Sequence, residues 1–175
     1  MTGTETTTVT TDERADLLAT LRKHRGFLRY AVQGLTDEQA RQRTTVSELT
    51  LGGLIKHVSR IEDGWARFTQ EGPQAVAAPQ DEAGYADWAE GHRLLPGETL
   101  DGALAEYEAV AARTDELVRT LDLDVSFPLP EAPWFRPGAQ RSVRRAFTHI
   151  AAETAQHAGH ADIQRETLDG QKTMG

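Results

Sequence analysis

The chain contains no cysteine among its 175 residues. That absence excludes disulfide frameworks, thiolate zinc sites, iron–sulfur clusters and a cysteine nucleophile, and it leaves His, Asp and Glu as the metal-ligating side chains. Any thiol chemistry must therefore use a sulfur that arrives with a substrate. Basic residues are also scarce: 19 Lys and Arg stand against 27 Asp and Glu, a formal net charge of −8. A nucleic-acid binder needs a basic footprint, so no nucleic-acid partner is expected. Long apolar runs are missing too. No stretch approaches the roughly 18 consecutive apolar residues of a membrane span. The first residues show no charged segment followed by an apolar core, so no membrane partner is expected and the reading is cytoplasmic. What remains is the composition of one globular domain, 38% hydrophobic and 26% charged, long enough to bury a core without a metal or disulfide staple. A metal bound by such a chain is expected to serve chemistry rather than folding.

Residues 1–11, MTGTETTTVTT, hold too little apolar surface to repay the entropy of ordering and are expected to form a disordered tail. From Asp12 the pattern turns helical, with Leu17, Leu18, Leu21, Leu28 and Val32 at three- and four-residue steps and Gly34 as a stop. Thr36 to Gln39 matches a capping box and opens a short helix ending near Arg43. A second long helix is expected from about Leu51 to Gln70 on the stripe Leu51, Leu54, Val58, Ile61, Trp65 and Phe68. Gly52 and Gly53 near its start serve close packing or mark its boundary. Residues 71–98, with Pro73, Pro79 and Pro96 and weak periodicity, read as a long connection containing one helical turn. Thr99 caps a third long helix ending near Leu121. Four of the seven prolines follow, between Pro128 and Pro137, so that segment is extended. Ser142 caps a fourth long helix running to about Leu168, before Gly170 and a C-terminal tail, 171–175. The expected fold is all-α: a four-helix bundle over 12–170 with long connections between helices 2 and 3 and between helices 3 and 4. The long segment joining the second and third helices leaves simple up-down-up-down topology unassured.

Three of the six histidines lie on the fourth helix: His149, His157 and His160, with Glu153 among them. At about 100° per residue and with Ile150 as the centre of the buried stripe, His157 falls about 20° away, Glu153 about 60°, His160 about 80° and His149 about 100°, all on one side. Glu153 and His157 stack one turn apart, a spacing that lets two groups on one helix bind one ion. On the second helix His57 lies about 60° from the centre of the apolar stripe. Two facing helices thus offer a His57, Glu153, His157 triad, and three protein ligands leave open positions for water or substrate, as catalytic metal sites do. A lone histidine beside an apolar stripe is more commonly a packed core residue, and His/Glu pairs four apart also arise as solvated pairs. The residues alone leave metal binding open, and they leave open whether His149 or His160 joins the shell.

The segments Leu54-Ile55-Lys56-His57-Val58, with Glu62, Asp63 and Trp65 after it, and His149 to Glu166, with its EtaxHaGHaDixRE pattern, resemble the two signature helices of the DinB-like superfamily. The resemblance is nearest to the actinobacterial branch related to mycothiol-dependent maleylpyruvate isomerase. It extends to Pro96-Gly97-Glu98-Thr99-Leu100 and to Trp134-Phe135-Arg136-Pro137-Gly138. It implies a divalent metal, zinc or nickel, on His57, Glu153 and His157. Some members carry His where this chain has Glu153. It also implies a low-molecular-weight thiol such as mycothiol as co-substrate, a small-molecule electrophile as substrate, and a homodimer. A metal lowers the pKa of a bound thiol and makes it a nucleophile near neutral pH. Trp65, Trp134 and Phe135 are candidate walls of the substrate site, Arg136 a candidate anion contact, and His160 a candidate substrate-facing group. Asp162 and Arg165, three apart, are expected to form an ion pair.

The leading reading is a metal-dependent thiol S-transferase or isomerase. A metal hydrolase with water in the open position, and His160 as its base, is the second. A non-catalytic metal-binding or stress-response protein is the third, and a dimerising bundle that binds nothing is the fourth.

Overall fold

The computed structural model describes residues 12–173. The expected tail 1–11 lies outside the described residues, as do residues 174 and 175 of the C-terminal tail. The chain runs through α1 (Glu13–Ala31), α2 (Asp37–Arg41), α3 (Leu51–Glu71), a 3₁₀ turn (Pro73–Val76), α4 (Glu82–Glu90), α5 (Leu100–Thr120), β1 (Ser126–Pro128), β2 (Gln140–Ser142) and α6 (Val143–Asp169). The fold is mostly helical, and α1, α3, α5 and α6 form a four-helix bundle. Every α-helix opens on an Asp, Thr or Ser whose side chain accepts from a first-turn amide: Asp12, Thr36, Thr50, Asp81, Thr99 and Ser142. The capping box at Thr36 is closed by Gln39. At the far end of α6, Gly170 takes a left-handed conformation, φ 82°, which ends the helix.

Neighbouring helices are α1 with α6, α6 with α3, α3 with α5, and α5 with α1. At one end of the bundle the late residues Leu28 and Ala31 of α1 and Ala158 and Ala161 of α6 pack on the early residues Leu51 and Leu54 of α3 and Leu100 and Ala103 of α5. At the other end Leu18, Leu21, Val143 and Phe147 meet Trp65, Phe68 and Val118. The helices α1 and α6 therefore run one way and α3 and α5 the other, an up-down-down-up order. Because α3 and α5 are parallel neighbours, the chain must climb back along the bundle between them. That climb is the physical reason for the long segment after α3.

The segment holds more structure than its weak periodicity predicts. In place of one helical turn it has the 3₁₀ turn and the nine-residue α4. None of the residues of α4 is buried, so it has no apolar face to write into the sequence. After α4 the chain presses onto the start of α3. A Cβ on Gly53 would lie 2.1 Å from the His92 carbonyl oxygen, and one on Gly52 2.4 Å from a Leu94 methyl. The glycine pair thus serves close backbone packing. The proline-rich segment forms no helix, as expected, but it is not extended throughout: the Phe135 amide donates to the Ala132 carbonyl and that of Ala139 to the Arg136 carbonyl, turns that fold the segment back, and its ends pair in a two-stranded antiparallel ribbon with Phe127 opposite Arg141. Three-residue strands are too short to show alternation.

The C-terminal tail is docked where it is described. Gln171 donates to the Tyr30 carbonyl at 3.2 Å, and the Thr173 amide donates to Asp162 at 2.6 Å. The expected Asp162–Arg165 pair does not form. Arg165 instead binds Asp169 and the carbonyls of Ala31 and Gln33. Its side chain spans to the end of α1, where those carbonyls have no further helical partner.

Candidate functional site

The inward flanks of α3 and α6 meet at their histidines. The His57 ring, half-buried on α3, stands edge-on to His157 of α6 with centroids 4.8 Å apart and planes at 87°. Along α6, Glu153 lies between two imidazoles, its oxygens 3.6 Å from His149 Nε2 and 3.7 Å from His157 Nε2. His160 Nδ1 is 3.4 Å from His157 Nδ1. The antiparallel packing of two helices thus gathers His57, Glu153 and His157, with His149 and His160 at the two ends of the polar row on α6.

A further histidine joins from outside both helices. His92, in the chain just after α4, stacks on His57 with centroids 4.3 Å apart. Its Nδ1 lies 2.9 Å from the Trp88 carbonyl. A carbonyl only accepts, so Nδ1 carries a proton. The approach that seats His92 is the one Gly53 makes room for. Burial is the leading cause that pushes His57 and His149 down to about 4, and it also lowers His157. These three rings are accordingly neutral at neutral pH, the form that ligates metals and accepts protons.

His57 and His92 open into a cavity of about 270 Å³. All three tryptophans of the chain line it, Trp65 buried, Trp88 58% exposed and Trp134 70% exposed, together with Phe135. Large aromatics so exposed contribute little to the core, which marks them as contact surface. All three sequence-predicted wall residues, Trp65, Trp134 and Phe135, are there. Arg136 is not: it lines a separate recess among Leu129, Pro133 and Pro137. His160, Glu153 and His157 are also off the lining, adjoining it through His57 and through His149, whose ring meets Trp65 edge-on at 4.8 Å. A larger recess of about 600 Å³ between α1 and α5 is lined by Arg29, Tyr30 and Leu104 and contains no histidine. Chemistry, not size, singles out the smaller cavity.

The donor set of His57, Glu153 and His157, two neutral nitrogens and one carboxylate, suits a divalent ion. Among the described residues, however, no three His, Asp or Glu side chains are disposed to hold one. The rings present faces and edges to one another rather than lone pairs to a common point. A three-ligand site there needs side-chain rotation.

Sequence reasoning missed His92, Trp88 and Arg141. The first two sit in the connection, where no period relates them to either signature helix; the nearest signal was Gly52-Gly53, which announced a close approach but not by what. Arg141 lies in β2 with its guanidinium 4.1 Å above the Trp65 ring.

No curated protein matches the sequence. Among solved structures, the chain is similar to one described as the conserved protein of locus from Enterococcus faecalis, with a TM-score of 0.67 over 93% of this chain and 100% of that chain at 13% identity. A likeness at that identity speaks for the fold. A model of the mycothiol-S-transferase family matches residues 16–170, a span that takes in α3, α5, α6 and nearly all of α1. No helix of the described residues is long and apolar enough to cross a membrane. With its bundle, its paired signature helices and this match, the chain belongs to the mycothiol-S-transferase family, a DinB-like family.

Proposed function

We propose that this protein joins a low-molecular-weight thiol, mycothiol by family, through its sulfur to a small electrophile, with a divalent metal held by His57, Glu153 and His157. The observation that carries the reading is the meeting of two helices' neutral imidazoles and one carboxylate beside a tryptophan-walled cavity, in a chain with no thiol of its own. When bound, the metal would supply Lewis-acid lowering of the thiol pKa, which produces a nucleophile at neutral pH. The remaining work belongs to the protein. Burial keeps His57 and His157 neutral and so able to donate lone pairs without first losing a proton. The Glu153 carboxylate lies between His149 and His157, just beyond hydrogen-bond distance of both rings. Trp65, Trp88, Trp134 and Phe135 exclude water and present an apolar wall to the electrophile. The thiol gives up its proton to solvent, and attack by its sulfur forms the carbon–sulfur bond as the bond to the leaving group breaks and that group takes the electron pair; in an epoxide the carbon–oxygen bond opens and the oxygen, still attached, takes up a proton. His160 touches His157 rather than the cavity, so its place is that of a positioning residue.

The test is metal analysis of protein purified without a histidine tag, followed by turnover of an epoxide or a haloalkane with and without added mycothiol. About one equivalent of zinc or nickel, lost in His57→Ala and His157→Ala, together with thiol-dependent turnover, is the expected result. Turnover without thiol would overturn the transferase reading in favour of a hydrolase. Less than about half an equivalent of metal would overturn the proposed metal role.

A further inference from the structure

The tryptophans of the histidine cavity reach it from three different elements: Trp65 from α3, Trp88 from α4 and Trp134 from the proline-rich connection. Trp65 belongs to the core, 9% exposed and with the Arg141 guanidinium 4.1 Å above its ring. Trp88 and Trp134 are exposed. Each meets a neighbouring ring only edge-on, Trp88 with His92 at 4.7 Å and 67°, Trp134 with Phe135 at 6.2 Å and 68°. Among the described residues no ring lies flat on either indole and no cation stands over one. Two large apolar faces left to water beside one cavity contribute nothing to the core, and such surface marks a ligand contact.

Charge narrows what can lie against them. The chain has 27 Asp and Glu, yet none of those described lines the cavity. The charged side chain on the lining is Arg60, which is paired with the Asp87 carboxylate at 3.3 Å and donates to the Asp87 carbonyl at 3.0 Å. A cation therefore meets a positive wall with no carboxylate on the lining to answer it, and an anion finds the positive group already taken. A neutral ligand is what the lining suits. A cavity of roughly 150 Å³ accommodates benzene, so one of about 270 Å³ has room for a single substituted ring. The indole faces then select its electronics. They are electron-rich, and a ring drained by withdrawing groups stacks on them better than an electron-rich ring does.

We propose that Trp88 and Trp134 are the specificity residues of this cavity and hold a neutral, electron-poor aromatic ring, which makes the electrophile a haloarene activated by withdrawing groups. The ring site stands on the cavity alone; the word electrophile rests on the S-transferase reading. The two agree, because the groups that strengthen stacking on indole also open the ring to sulfur. The thiol gives its proton to solvent and its sulfur bonds to the ring carbon that carries the halogen. The ring and its withdrawing groups take up the displaced electron pair, and the halide then leaves with the pair of the carbon–halogen bond as the aromatic system is restored.

Two measurements test it. Benzonitrile, anisole and cyclohexanecarbonitrile are neutral and similar in size; the first is an electron-poor ring, the second an electron-rich ring, and the third is saturated. Their proton NMR signals, followed as native protein is added, read binding without turnover. Benzonitrile should bind at least about threefold tighter than cyclohexanecarbonitrile, the gain of one aromatic pair, with anisole between them. Trp88→Leu and Trp134→Leu, which keep apolar bulk, should each remove most of that preference, and Trp88→Phe should retain part of it. With added mycothiol, either Leu variant should lower the ratio of kcat/KM for 1-chloro-2,4-dinitrobenzene to that for chloroacetonitrile at least about threefold, chiefly through KM. Ring-selective binding without thiol-dependent turnover upholds the ring site, and only the transferase reading then fails. Equal affinity of the native protein for benzonitrile and cyclohexanecarbonitrile, tighter binding of anisole than of benzonitrile, or an unchanged preference in both folded Leu variants would overturn the assignment. So would indole NMR signals of Trp88 and Trp134 that shift with protein concentration and not with benzonitrile, the mark of a contact between copies of the chain.

Discussion

Arg25 of α1, Glu62 of α3 and Asp115 of α5 cross the bundle interior on one side of α3, while His57 of α3 and the Glu153–His157 pair of α6 meet on another. In the first region Arg25 and Glu62 are almost wholly buried, 3% and 0% exposed. Their charges are answered: Arg25 Nε is 3.2 Å from Glu62, and its Nη1 is 2.7 Å from Asp115, which also takes Arg22. Burial works against the Arg25 charge, but the two carboxylates outweigh it and raise its pKa. In the second region the groups are half-buried, burial keeps the imidazoles neutral, and they lean on one another through ring faces and edges beside a cavity. Both are polar layers in the same bundle. A closed layer of satisfied charges holds helices together, whereas an open layer of neutral donors is free to take a ligand.

The comparison breaks most visibly at Glu62. Glu62→Ala strands the Arg25 guanidinium in the core and should cost about 3–5 kcal/mol, read as a lower urea midpoint. A loss under about 1 kcal/mol would mean that water reaches this layer after all and that the two regions are alike. Gly53→Ala comes next. Its Cβ would collide with the His92 carbonyl, so the connection must shift, at about 1–3 kcal/mol by the usual cost of overpacking. The His92 ring should move off His57, visible as loss of their inter-ring contacts in NMR spectra.

His57→Ala should be far milder in stability than Glu62→Ala, about 1 kcal/mol, the range for a partly buried group with no paired charge. If the proposed metal role holds, the variant should nevertheless lose its metal. A stability loss equal to that of Glu62→Ala would make the histidine layer structural. Acid should sharpen the same contrast. His57 and His149 titrate near 4 in the folded protein against 6.5 for the free side chain, so between those pH values the unfolded chain binds more protons. Stability therefore falls as pH drops from about 6.5 to 4, and His149→Asn should show a shallower fall across that window in a melting series. An identical slope in the variant would show that His149 does not titrate low. The smallest effects belong to Trp88→Ala and Trp134→Ala, within about 0.5 kcal/mol because both rings are exposed, yet both should raise KM for an apolar electrophile in a thiol-dependent assay.

The legibility of this chain followed its periodicity. Thr36, Thr99 and Ser142 were readable as caps because capping is a contact with the next few residues. His57, Glu153 and His157 were readable as inward-flanking groups because a helix converts residue spacing into angle. The helix α4 was missed because it buries nothing. His92, Trp88 and Arg141 were missed because a connection and a three-residue strand carry no such conversion. Arg136 was chosen for its place beside Trp134 and Phe135 in the chain, but the turn at Gly138 and the β1–β2 ribbon bring Arg141 to the aromatic wall in its stead.

By itself, then, the sequence determined four long helices, their caps, the polar flanks of α3 and α6 and the lack of any thiol of its own, because each of these is a property of composition or of neighbours within a turn or two. Only the tertiary structure decided the up-down-down-up order, the layer of paired charges across α1, α3 and α5, and the gathering of His92 and Trp88 beside His57. Those depend on where a long connection is laid down. What settles that is steric fit between distant residues, above all the close approach of residues 92–94 to Gly52 and Gly53, which no local pattern encodes.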